Sequence, residues 1–193
     1  YSTILYNAPQ KTNKWLSHMF EIFHRIHISL AKGSEWFGKT LSWLTLFMTV
    51  LMFTLVVLRY AFDFNLIFLQ ESVLYLHAAV FLLGAGYTLK MDGHVRVDIL
   101  YRDMKALQKA WVNLLGCLFL LIPMMTFIGV ISWEYIAFSW SMQEKSQEAG
   151  GLPFVYLLKS LILGMVISVL IQGISEICKS LAILGHHYSQ EAK

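Results

Sequence analysis

The chain has 193 residues, of which 57% are hydrophobic and only 14% charged, and its formal net charge is +3. A soluble globular domain of this length could not carry that balance, so the composition describes an integral membrane protein and gives no reason to expect nucleic acid as a partner. The two cysteines, Cys117 and Cys178, each stand inside an apolar run, where a small buried thiol is expected rather than a disulfide or a metal ligand.

Residues 1–33 read as an amphipathic arm. From Lys14 to Ala31 the side chains of Trp15, Met19, Phe23, Ile26 and Leu30 fall on one helical face and those of Lys14, Ser17, His18, Glu21 and Arg25 on the other. That division suits a helix lying in the headgroup plane of the phospholipid, with Trp15, Phe20 and Phe23 as its membrane contacts. The opening residues are polar and basic, without an apolar run of signal-peptide type, so insertion is expected to rest on the spans themselves. Gly33-Ser34 is expected to end the arm, with Ser34 capping the helix that begins at Glu35.

Leu41 to Leu58 is the first expected span, with Ser42, Thr45, Thr49 and Thr54 as its polar groups, and Arg59-Tyr60 closes it at an interface. The link Ala61 to Gln70 is short, so the second span returns beside the first. It follows Glu71, runs uncharged from Ser72 to Leu89, and offers Ala78, Ala79, Gly84 and Gly86 as a small-residue surface for close helix approach. It then delivers an abruptly polar turn, Lys90-Met-Asp-Gly-His-Val-Arg-Val-Asp98, in which Gly93 is expected to permit the tight bend. The third span, Ala110 to Trp133, is expected to kink at Pro123 and to extend through Trp140. Turn residues and charge from Gln143 to Glu148 lead to Pro153, placed in the first turn of a last span that runs from about Val155 to Cys178.

Lysines and arginines cluster before the first span (Lys11, Lys14, Arg25, Lys32, Lys39) and between the second and third (Lys90, Arg96, Arg102, Lys105, Lys109). The other links hold only Arg59, Lys145 and Lys159, so both termini and the middle loop are expected inside, with Asp63 and the Glu144 to Glu148 region outside.

Two residues invite a chemical reading. His77, within the second span, reads as a neutral, hydrogen-bonded packing histidine, with a coupling or gating group and a haem ligand as alternatives. Glu71 could take a proton or cation, but a carboxylate in a first helical turn is already favoured by the helix dipole. The spacing of Asp92, His94 and Asp98 matches no metal signature, and no phosphate loop, nucleophile–base pair or paired catalytic carboxylates stand in the sequence. No enzymatic activity and no cofactor are expected.

Taken together, Arg59-Tyr60, Glu71, Gly84-Ala85-Gly86 followed by Gly93-His94-Val95-Arg96-Val97-Asp98, and Glu148-Ala-Gly-Gly-Leu-Pro153 leading to Lys159 resemble the small membrane (Q-type) subunit of TRAP transporters, the tripartite ATP-independent periplasmic carriers. The resemblance covers residues 36–180 and rests on Arg59, Glu71, Gly93, His94, Asp98, Gly151, Leu152, Pro153 and Lys159 in this order. It implies a protein of the bacterial inner membrane and does not reach the arm; with the residue pattern and the lysine and arginine asymmetry, the expected chain is all-α, with an arm over 1–33, a four-span N-in/C-in domain over 34–182 and a polar cytoplasmic tail over 183–193. It further implies a scaffold for a large transporting subunit, with a periplasmic substrate-binding protein as second partner and sodium-coupled uptake of a carboxylate or sialic acid as the activity. Asp63, Glu144, Lys145 and Glu148 are then the expected docking residues, and Ala78, Ala79, Gly84 and Gly86 the packing ones. The competing readings are a small proton-coupled exporter using Glu71 and the membrane anchor of a redox complex using His77.

Overall fold

A computed structural model describes residues 14–94 and 101–191, with side chains placed over 21–94 and 101–187. Asp98 lies outside the described residues, as do the side chains of Trp15 and Phe20. All regular structure among the described residues is helical: α1 Lys14–Phe62, α2 Ile67–Lys90, α3 Ala106–Gly116, α4 Ile122–Ser141 and α5 Val155–Glu191. A π-helical turn, Cys117–Leu121, joins α3 to α4. Among the described residues four stretches are long and apolar enough to cross a membrane, in α1, α2, the joined α3 and α4, and α5.

The break expected at Gly33-Ser34 does not occur. The helix α1 continues through it for 49 residues, so arm and first span form one rod of about 74 Å at 1.5 Å per residue. A glycine inside a helix costs about 1 kcal/mol relative to alanine, and α1 gains compensating bonds to α5 on both sides of it. His27 Nδ1 lies 2.9 Å from Ser175 Oγ and 3.1 Å from the Ser175 carbonyl oxygen, while Ser34 Oγ donates to Gln172 Oε1 at 3.0 Å instead of capping a helix. The same continuity holds at the other terminus, where α5 runs unbroken to Glu191, past the expected start of the tail.

Helix ends are set by left-handed residues that are not glycine. Asp92 (φ 56) follows α2, letting the Gly93 N–H reach Thr88 O at 2.9 Å, and Gln143 (φ 48) follows α4, letting the Glu144 N–H reach Ser139 O at 3.1 Å. Both are Schellman closures, which satisfy otherwise orphaned carbonyls. The turn after α2 therefore bends at Asp92; Gly93 is needed for room instead, since a Cβ there would press on Thr88 Cγ2 at 3.2 Å. Pro153 precedes the first residue of α5 rather than sitting in its first turn, and Phe154 O accepts the opening bonds from the Leu157 and Leu158 N–H groups. The irregularity expected at Pro123 is the π turn just before it, where a proline that cannot donate to the preceding turn loosens the ladder.

The core is organised around α5, which packs against α1, α2, α3 and α4. Most of the buried residues lie on it, Val166, Val169, Gln172, Ser175, Cys178, Ser180 and Leu184, and the other helices bury Leu41, Ala110, Cys117, Ile136 and Ser139. Gly86 of α2 packs directly on backbone: a Cβ there would lie 2.6 Å from the Ser168 carbonyl oxygen of α5. In hydrocarbon, where apolar burial gives no net drive between helices, such close backbone approach is what holds spans together.

Candidate functional site

The most structured polar region is the end of the bundle where the α4–α5 loop, 142–154, folds onto α2 and α5. Glu71, in the early turns of α2, turns its carboxylate toward this loop: Oε2 accepts from the Leu152 backbone N–H at 2.5 Å and Oε1 accepts from the Ser146 hydroxyl. The loop closes on itself through the Ser146 N–H to Leu152 O (3.1 Å) and the Gly151 N–H to Glu148 O (3.0 Å). Only glycine fits at 151, because a Cβ would collide with Ser146 and approach Glu71 Oε1 to 2.8 Å. Gly150, with φ 84, supplies the left-handed bend.

A second anchor comes from α5. Lys159 forms an ion pair with Glu144 Oε2 and lies 4.0 Å above the Tyr135 ring, and Ser139, fully buried, donates to the same Glu144 oxygen at 2.6 Å. The Lys159 ammonium, and after it the Ser139 hydroxyl, hold the Glu144 carboxyl below the usual carboxylate range. Trp140 donates from Nε1 to Ser160 Oγ at 2.8 Å and meets the Tyr156 ring edge-on. The loop is thereby fixed at both flanks, while its apex, Lys145 and Gln147 to Gly150, stays exposed.

The opposite end is held by Lys90 and Lys39, whose ammonium groups lie 2.9 Å and 3.0 Å from the Glu35 carboxylate. Gly93 and His94 are exposed beyond it. At that end and beyond it toward the start of α1 runs a buried polar seam on α5, in which Gln172 and Ser175, both at 0% exposure, bond to Ser34 and His27. The sequence reading missed this seam, whose signal is the spacing of Gln172 and Ser175 on one face of an apolar helix.

The expected residues divide clearly. Glu71, Gly151 and Leu152 come together at one anchor of the loop and Glu144 and Lys159 at the other, with Pro153 exposed beside the first. Asp63, Lys145 and Glu148 are exposed at the same end, Asp63 also ending α1 in a left-handed conformation (φ 56). Gly84 and Gly86 face the bundle interior, toward Leu41 and Ser168, and Ala78 and Ala79 are half-buried. Phe23 is half-buried on α1, and Arg59 is exposed at the end of the first span. His77 is exposed rather than packed: among the described residues it finds no hydrogen-bond partner, only a stacked contact with Phe81 at 6.3 Å between centroids. Among the described residues no three His, Cys, Asp or Glu side chains converge in a metal-binding group.

Comparison with known proteins bears on this arrangement. No solved structure matches the chain. A C4-dicarboxylate TRAP transporter small permease protein DctQ of Vibrio cholerae serotype O1 is 32% identical over 89 residues, which is 46% of this chain and 38% of that protein. The chain thus spans well under half the length of that relative. The model of the DctQ component of tripartite ATP-independent periplasmic transporters matches residues 48–182, a stretch holding most of the first span, the three that follow and the anchored loop. By that match the chain belongs to the DctQ component family of tripartite ATP-independent periplasmic transporters.

Proposed function

We propose that this chain is a static scaffold in the bacterial inner membrane that holds two partners: a large transporting subunit along its flank and a periplasmic substrate-binding protein at the loop 142–154. The observation that carries the reading is the double anchoring of that loop by Glu71 and by the Glu144–Lys159 pair, which presents Lys145 and Glu148 on a preformed surface. Preformed surfaces dock at lower entropic cost than loops that must order on contact. Glu144, committed to Lys159 and Ser139, shapes this surface, and Asp63, Lys145 and Glu148 supply its outward charge.

The orientation that goes with it is N-in and C-in, from the lysine and arginine asymmetry, with residues 14–33 meeting the phospholipid headgroups. The transported substrate is an organic acid of carboxylate type and its uptake is sodium-coupled; the sodium ligands belong to the large subunit, since α2, α4 and α5 lack the unwound carbonyls on which membrane sodium sites depend. The test is sodium-driven uptake into proteoliposomes holding the large subunit with and without this chain, in the presence of the binding protein. Uptake is expected only with both subunits. Full uptake by the large subunit alone would overturn the scaffold role.

A further inference from the structure

We propose that the groove between α1 and α2, with His77 at its side, is the seat of the large membrane subunit, and that the subunit fills it with an apolar transmembrane helix carrying a hydrogen-bonding group at mid-depth. This rests on the scaffold reading and adds the face and the contact. The two helices close on each other at one end, where the Tyr87 ring lies over Gly38 and Leu41 lies beside Gly84. Toward the loop end they part, leaving an open groove of about 810 Å³ between the 48–59 stretch of α1 and the 70–77 stretch of α2.

Four polar residues line this otherwise apolar trough: His77 near the middle of α2, Arg59 and Gln70 at its mouth, and Thr49, whose hydroxyl donates to the Thr45 carbonyl of its own helix. His77 is exposed and without a hydrogen-bond partner among the described residues, and no carboxylate among them pairs with Arg59. A neutral imidazole has one donor and one acceptor, and leaving them bare in hydrocarbon is costly. Acyl chains offer neither a donor nor an acceptor. A protein helix with a polar side chain at that depth offers both, and an acidic group or a run of free carbonyls at its end matches Arg59. The far side of α5 makes the contrast: on α4 and the π turn the exposed residues Phe119, Leu120, Phe127, Val130 and Ile131 form an apolar surface at mid-depth, and the exposed Glu134 stands beyond it toward the loop end of α4.

The test uses the two-subunit complex in nanodiscs, with the photo-crosslinking residue p-benzoylphenylalanine in place of exposed Leu74 or, as the contrasting site, of exposed Val130. Irradiation is expected to join the large subunit at position 74 and phospholipid at position 130. Lipid adducts or none at 74 in an intact complex, or large-subunit adducts at 130, would overturn the assignment of the face while leaving the scaffold reading in place. A large subunit that never associates with the unaltered chain would remove both. A second arm compares His77→Leu with His77→Gln: the leucine variant is expected to lose the large subunit about three- to tenfold faster, the glutamine variant at nearly the unaltered rate. Equal retention by both would show that His77 makes no polar contact with the partner.

Discussion

Replacing Glu71 with alanine is expected to free the α4–α5 loop while leaving the helices in place. The carboxylate accepts two hydrogen bonds, from the Leu152 N–H and the Ser146 hydroxyl, and all three residues are half-buried. A hydrogen bond to a charged group contributes about 1.5–3 kcal/mol, and partial solvation favours the lower end, so losing both costs about 3 kcal/mol of local closure. Because 1.4 kcal/mol is a factor of ten, the Leu152 amide should exchange with deuterium about a hundredfold faster in Glu71→Ala. Glu71→Gln keeps one neutral acceptor and should fall between, at about tenfold. Hydrogen exchange followed by mass spectrometry on peptides covering 146–154 reads this directly, with peptides from the middle of α5 as the internal control. Unchanged exchange across the loop in Glu71→Ala would refute the claim that Glu71 is its anchor.

Three further outcomes follow from the same geometry. The Glu144 carboxyl has its pKa depressed by Lys159 and Ser139, so its contribution to loop closure is fully present above the ordinary value of about 4.3 and is lost as pH falls through the depressed one; Trp140 fluorescence should stay flat from neutral pH to about 5 and change only in stronger acid, and a transition near neutrality would contradict the pairing. Gly86→Ala should lower the melting temperature in detergent, because its Cβ would lie 2.6 Å from Ser168 O and the forced separation of α2 from α5 costs about 1–3 kcal/mol, whereas Gly84→Ala, with Leu41 at 3.9 Å, should be near neutral. Equal melting of the two variants would refute the close approach. A thiol at the loop apex in Lys145→Cys should react with a membrane-impermeant reagent added to spheroplasts while one in His94→Cys should not, and the reverse pattern would invert the proposed orientation.

The spans were legible in the sequence because apolar runs of this length have one structural solution in lipid, and the short link after the first span fixes its neighbour. The helix boundaries were less so. Gly33-Ser34 carries the local signals of a break, yet α1 stays helical through it, with His27 and Ser34 bonded to the last helix, far away in sequence. The partners of Glu71 were likewise hidden: its position in the chain suggested a charge favoured by its own helix dipole, whereas the structure spends it on a loop backbone beyond the third span. Lys159, in sequence one more cation near the start of the last span, is the ion-pair partner of Glu144. His77 departs in the opposite direction, since a histidine inside an apolar span suggests packing and this one faces outward. Such facing depends on how helices rotate against one another, which α2, apolar nearly all round, leaves open in its sequence.

The central claim, that the chain holds two partners and carries no coupling ion, is tested most directly by titrating sodium-driven uptake with the binding protein, using proteoliposomes that contain both membrane subunits. The variant to compare combines Lys145→Glu with Glu148→Lys, which reverses the exposed charge at the loop apex and leaves Glu71, Glu144 and Lys159 untouched. Charges at a docking rim chiefly set encounter rate, so the half-saturating concentration of binding protein should rise, more so at low ionic strength, while the maximal rate and the sodium dependence stay as they were. An unchanged titration together with an altered sodium dependence would contradict the account and place this chain within the transport step itself.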